Sequence, residues 1–197
     1  PTREEIANYI NFLIANQFHD IAYYAWLQFL PPEQMAVAGF VFNSGFELPL
    51  SGMPFDWTLP RPLEATVEIA RVPGEDGNRA LRIEFGSGRV QLGAIQQRLL
   101  LGVGSYRLKG RLRGEVVGRR GMRLTVSCAT TTNAKIAETP MFIGRLKDWR
   151  DFDLAFTVPQ DCASQVLRIV HDARFSAEQF LTGLVWYDDI SIARDGN

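Results

Sequence analysis

At 197 residues, with 21 basic against 22 acidic side chains and a pI near 6.2, the chain has room for one sandwich-sized domain and a small appendage. It carries no net field that would draw it to a nucleic-acid backbone. Apolar residues make up 46% and charged residues 22%, a globular composition, and no apolar run approaches the ~20 residues of a membrane span.

The first 30 residues have helical periodicity. Thr2 and Glu5 stand at capping-box spacing, and Ile6, Ile10, Leu13 and Ile14 recur at steps of three and four, which predicts a helix over about 3–15. Asn16-Gln17 is a turn. Ile21, Tyr24, Ala25, Gln28 and Phe29, with Trp26 and Leu27, predict a second helix richer in aromatics than one buried stripe needs, ended by Pro31-Pro32. The chain opens at Pro1 without a charged-then-apolar leader and reads as a piece of a larger protein.

From residue 40 the period changes to two. Val67-Ile69, Leu81-Ile83-Phe85, Tyr106-Leu108-Leu112, Met122-Leu124-Val126-Cys128, Phe152-Leu154-Phe156-Val158, Leu167-Ile169 and Ile190-Ile192 alternate with polar neighbours. Turn-forming clusters such as Pro73-Gly74-Glu75-Asp76-Gly77-Asn78 separate them. The reading is mainly β: a helical hairpin over 1–36, then an antiparallel β-sandwich over 37–197 with about ten strands and jelly-roll closure.

Four phrases carry a resemblance. Asn43-Ser44-Gly45-Phe46-Glu47 near the start, Gly104-Ser105-Tyr106-Arg107-Leu108-Lys109-Gly110 and Trp149-Arg150-Asp151-Phe152 with Val158-Pro159 in the middle, and Val185-Trp186-Tyr187-Asp188-Asp189-Ile190 at the end stand as in a jelly roll. It is that of the carbohydrate-binding modules appended to bacterial xylanases and cellulases. The resemblance covers roughly residues 40–194 and rests on short motifs. The hairpin, in Ala22-Tyr23-Tyr24-Ala25-Trp26-Leu27-Gln28-Phe29-Leu30-Pro31, resembles the last pair of a tetratricopeptide array; an ordinary α-hairpin packed on the sandwich reads equally well.

The resemblance implies a structural calcium where the first strand meets the last, with Glu47 and Asp188 as its carboxylates, Asp188 being the better match than Asp189. The alternative is that these residues end strands or pair with an arginine. It implies also that a glycan lies on one sheet, whose outward residues by alternation are Gln91, Arg123, Thr125, Ser127, Arg168 and Val170. That set departs from the family in lacking an aromatic platform. Its guanidinium forks suit a polar or anionic polysaccharide better than a neutral one. Arg107, Lys109, Arg111 and Arg113 alternate along another strand; cross-strand ion pairs with Asp153 and Asp189 are the stronger reading of that row, an anionic-glycan stripe the weaker.

No catalytic set emerges. His19 and His171 are too few for a histidine-rich metal site, no Gly-x-Ser-x-Gly elbow occurs, and among Glu84, Glu138, Asp153 and Asp172 no pair is singled out. Cys128 and Cys162 would lie on neighbouring strands of a jelly roll and could bridge; in a reducing compartment they would be two small buried hydrophobes. The compartment stays open, with the balance toward a periplasmic or extracellular one. The functional expectation is a non-catalytic carbohydrate-binding module, an accessory to bacterial exopolysaccharide assembly or export. The alternatives are a protein-interaction module of the same pathway, docking upstream helical repeats or a partner protein, and third a glycoside hydrolase or polysaccharide lyase.

Overall fold

The computed structural model describes residues 1–129 and 133–196. It opens with α1 (Arg3–Ala15) and α2 (His19–Gln28), followed by the single turn α3 (Pro32–Met35). The capping box is formed: Glu5 N–H donates to Thr2 Oγ1 at 3.2 Å and Thr2 N–H to Glu5 Oε2 at 2.7 Å. Gln17, at φ 65°, reverses the chain between the helices. Ile10 and Leu13 of α1, with Ala22 and Trp26 of α2, bury against Phe42, Met53 and Phe55 of the irregular segment that follows. The Trp26 ring meets those of Phe42 and Phe55 at 5.2 and 5.5 Å. The hairpin thus shares a small core with residues 38–55. Among the described residues no helix is long and apolar enough to cross a membrane.

Nine strands follow among the described residues: β1 (Ala65–Arg71), β2 (Arg79–Phe85), β3 (Ile95–Leu99), β4 (Gly104–Gly118), β5 (Met122–Cys128), β6 (Lys135–Glu138), β7 (Gly144–Val158), β8 (Gln165–His171) and β9 (Leu181–Arg194). They form a jelly-roll sandwich of two antiparallel sheets, in the orders β1-β2-β9-β4-β7 and β3-β8-β5-β6. The alternating residues do as their period dictates. Leu81 and Ile83 of β2, Met122, Leu124 and Val126 of β5, and Leu167 and Ile169 of β8 meet in one core between the sheets.

Two strands lack a legible pattern. β6 has four residues, too few for a period. β3 carries Gln97 at the inward phase between Ile95 and Leu99, and its amide is matched on both sides: Phe42 N–H donates to Gln97 Oε1, and Gln97 Nε2 donates to the Phe42 carbonyl, each at 2.9 Å. A buried amide satisfied in this way is tolerated in a core, and here it pins the hairpin-bearing segment to the sandwich. Of the two fates open to the cysteines, the fold takes the bridge: Cys128 at the end of β5 and Cys162 ahead of β8 are disulfide-bonded, with Cα atoms 5.3 Å apart.

Candidate functional site

The outward face of the four-stranded sheet is built from two cross-strand rows. Pairing register sets Gln96, Arg168, Thr125 and Glu138 in one, and Arg98, Val166, Ser127 and Lys135 in the next; Arg123 and Val170 pair beyond them. α1 leans over the β3 edge. Asn11 and Ile14, with Pro54 and Thr58, enclose a cavity of about 200 Å³ whose floor is Gln96, Arg98 and Val166.

The charges on this face divide sharply. Toward β6, Arg123 donates to Glu138 at 2.6 Å and to Asp172 at 2.8 Å, while Arg120 also grips Asp172 and Lys135 grips Glu138. Hydrogen bonds from Lys135 and then Arg123 hold the Glu138 carboxyl below its ordinary range. Toward β3, Arg168 Nε donates to the neutral Gln96 Oε1 at 3.1 Å and Arg98 to the Ser164 hydroxyl at 3.3 Å. Neither has a carboxylate partner among the described residues. Burial, and then the neighbouring Arg168, pull the Arg98 guanidinium below its ordinary value. Two cations side by side without counter-charge are costly to hold, and an anion would relieve them.

The residues expected on this face fare unequally. Thr125 and Arg168 stand on it as neighbours. Gln91 does not: it is exposed in the irregular segment before β3, and its place is taken by Gln96. Ser127 has the outward phase but is 6% exposed. Arg123 is on the face, yet its charge is spent on two carboxylates. Gln96 and Arg98 were missed because β3 was; the alternation of Gln96 and Arg98 around buried Gln97 is the signal that would have found them.

On the outer face of the five-stranded sheet the basic row of β4 is neutralised. Arg107 pairs with Asp153 at 2.8 Å and Asp195 at 3.1 Å, Arg113 with Glu75 at 3.4 Å, and Arg111 with Asp188 at 2.7 Å and Asp189 at 3.0 Å. Trp149 lies within 4.6 and 4.8 Å of the Arg111 and Arg113 guanidiniums. The basic row is therefore a set of cross-strand ion pairs.

Glu47 and Asp188 do converge, about Gly45, where the first segment meets the last strand through Ile190 N–H donating to the Ser44 carbonyl at 2.9 Å. Three of their four carboxylate oxygens, however, already accept from protein donors. Asp188 Oδ1 takes the Asp189 N–H, Asp188 Oδ2 takes Asn78 Nδ2 and Arg111 Nη2, and Glu47 Oε1 takes the Arg79 N–H. No group of three or more acidic, histidine or cysteine side chains able to hold a metal occurs among the described residues. Arg111 supplies the positive charge that calcium would bring, so the donor set fits an ion pair and not the ion. The carboxylates Glu84, Glu138, Asp153 and Asp172 each face a guanidinium, Glu138 and Asp172 sharing that of Arg123.

No family model and no curated protein matches the chain. Solved structures do. A CBM4 structure superposes with TM-score 0.53 at 12% identity, over 79% of this chain and 99% of that one. The CBM22-1 and GH10 modules of Clostridium thermocellum xylanase 10B, complexed with xylohexaose, superpose with TM-score 0.52 at 18% identity, over 79% of this chain but 28% of theirs. The enzymatically active domain of bacteriophage CBA120 tailspike protein 4 gives TM-score 0.53 at 12% identity, over 80% of this chain and 21% of its own. At these identities the likeness is one of fold, and the fold is that of a carbohydrate-binding-module jelly roll.

Proposed function

We propose that this chain is a non-catalytic carbohydrate-binding module whose ligand is an anionic polysaccharide lying along Arg98, Gln96, Arg168 and Thr125. The observation that carries this reading is the pair of guanidiniums without carboxylates at one end of this face, where Arg123 at the other end and Arg107 and Arg111 on the other sheet are each paired. Arginine forks match the carboxylates of uronates, and Gln96 and Thr125 add groups that bond hydroxyls. The module would serve as an accessory to bacterial exopolysaccharide assembly or export. Isothermal titration with polygalacturonate or alginate tests it. Binding is expected to weaken as salt rises from about 50 to about 500 mM, and to fall about tenfold in Arg98→Ala and Arg168→Ala, the loss of one charge-assisted contact. Arg107→Ala, on the other sheet, is the control. Salt-insensitive binding to neutral xylan, or no binding to any anionic glycan at millimolar concentration, refutes it.

A second reading rests on the hairpin. Tyr9, Phe12, Ile21 and Tyr24 are about half exposed or more, an aromatic face of the kind that docks further helices of a tetratricopeptide-like array or a partner protein.

A further inference from the structure

The sheet that carries Arg98 and Arg168 does not stop at β3. Thr58 N–H donates to the Gln96 carbonyl at 2.8 Å and Gln96 N–H to the Thr58 carbonyl at 3.1 Å, an antiparallel bridge that adds one residue pair beyond the edge strand. Residues paired in this way project to the same face. The alternation agrees: Trp57 is buried in the main core and Thr58 is exposed. The outward row therefore runs Thr58, Gln96, Arg168, Thr125 and Glu138. From Thr58 to Thr125 it crosses successive strand spacings that add to roughly 14 Å, a length that about three sugar rings fill.

The two ends of this row differ. β6 is the last strand of its sheet, and Glu138 on it is held by Arg123 and Lys135, so that end offers a ligand no unmatched charge. At the β3 end stands the cavity of about 200 Å³, with Asn11 and Ile14 of α1, Pro54 and Thr58 around it and Gln96 and Arg98 at its floor over the buried Val166. Asn11 and Thr58 are exposed, and Ile14, Pro54, Gln96 and Arg98 are part-exposed, so a ligand reaches all six. The lining holds a cation and no carboxylate. α1 is a fixed wall here and not a flap, because its Ile10 and Leu13 are buried with Phe42, whose backbone is in turn bonded to the Gln97 amide of β3. Past Ile14 and Arg98 the next cavity carries Asp161, a charge that opposes any continuation of an anionic chain.

We infer that the module holds the end of its polysaccharide and not the middle: the terminal residue of an anionic chain lies in the recess beside α1, its carboxylate on Arg98 and its hydroxyls on Asn11 and Thr58, while the following residues run over Arg168 and Thr125. This rests on the anionic-glycan reading and adds chain-end selection to it. The volume of the recess is below the roughly 300–1,000 Å³ of pockets for drug-sized ligands, so it admits one ring and no chain passing through. Ile14 and Pro54 give the C–H edges of that ring an apolar contact. An internal residue carries a neighbour on both sides, and one of the two would collide with α1.

Isothermal titration with the trimer, the hexamer and the polymer of galacturonate, and with the same series from alginate, is the test. One module per chain is expected at every length, with affinity per chain level from the trimer upward to within about twofold. Thr58→Trp fills the recess and is expected to weaken trimer binding at least tenfold. Asn11→Ala, which removes one hydroxyl contact, is expected to weaken it about fivefold. Both positions are exposed, so melting temperatures are expected to stay at the parent value, and a variant that melts there and binds less has lost a contact and not the fold. A number of bound modules that rises with chain length, or trimer affinity unchanged in Thr58→Trp, overturns chain-end selection and leaves the anionic-glycan reading standing. Absence of binding by every oligomer and both polymers removes the two together.

Discussion

The two sheets present rows of arginines to solvent, and they treat them oppositely. On the five-stranded sheet Arg107, Arg111 and Arg113 each meet a carboxylate on a neighbouring strand or turn. On the four-stranded sheet the pairing is complete at one end, around Arg123, and missing at the other, at Arg98 and Arg168. Residue type alone does not separate these cases. What separates them is the register that sets Asp153 beside Lys109, and Asp188 beside Arg111, yet gives Arg168 only Gln96 and Thr125. A cation matched within its own sheet is part of the fold, and one left unmatched on a surface is available to a ligand.

The sharpest way to break this distinction is to remove one cation from each class. Asp188 is 0% exposed, so Arg111→Met leaves a buried carboxylate with only Asn78 and a backbone N–H for company. The expected loss is about 3–5 kcal/mol, the usual cost of breaking a buried pair from one side, read by urea denaturation. Arg168→Ala removes a part-exposed cation that bonds only the neutral Gln96 amide and is expected to cost no more than about 1 kcal/mol, the worth of one such hydrogen bond. Equal effects would erase the distinction. The same experiment bears on calcium: with Arg111 as the counter-charge, melting curves in calcium and in chelator are expected to coincide, and a rise with calcium would restore Glu47 and Asp188 as its ligands.

Much of this was legible in the sequence, for a physical reason. Where every second residue is apolar, as in β2, β5 and β8, burial enforces the strand, and the period survives in the letters. The capping box of α1 and the neutralised row on β4 are local or nearest-strand effects and were legible too. β3 was hidden because Gln97 occupies a core position, and a buried amide is tolerated only through a partner 55 residues away at Phe42, which no local pattern reveals. With β3 lost, Arg98 and Gln96 went with it, and Gln91 took their place. Arg123 was placed on the right face, but its neutralisation depends on Asp172, 49 residues on.

A covalent tie on the four-stranded sheet sharpens the comparison next. The bridge joins Cys128 to Cys162 across a sequence separation of 34 and restrains the unfolded chain, which for a loop of that size stabilises by about 3–4 kcal/mol. Replacing both cysteines by alanine is expected to lower stability by about that amount while leaving the Arg111 and Asp188 pair intact. A change below about 1 kcal/mol would show that strand pairing alone fixes the open end of this sheet.

The smallest effect separates the faces by pH. Burial, and after it Arg98, lower the pKa of His19 below its ordinary 6.5; burial likewise lowers that of His171. The unfolded chain therefore binds protons at these residues more readily than the fold does, so their stabilising contribution is present at neutral pH and is lost as pH falls below about 6.5. Both rings are partly exposed, so the combined loss between about pH 7 and pH 5 is expected to stay under about 1 kcal/mol, read as a decline in melting temperature. The two rings should then part company. An anionic glycan on Arg98 would offset the cation beside His19 and raise its pKa, whereas His171, beside the self-neutralised Arg120 and Asp172, should titrate unchanged. Imidazole proton shifts followed with and without polygalacturonate decide it: parallel movement of both rings, or of neither, would mean that the unmatched cations are not where the ligand sits.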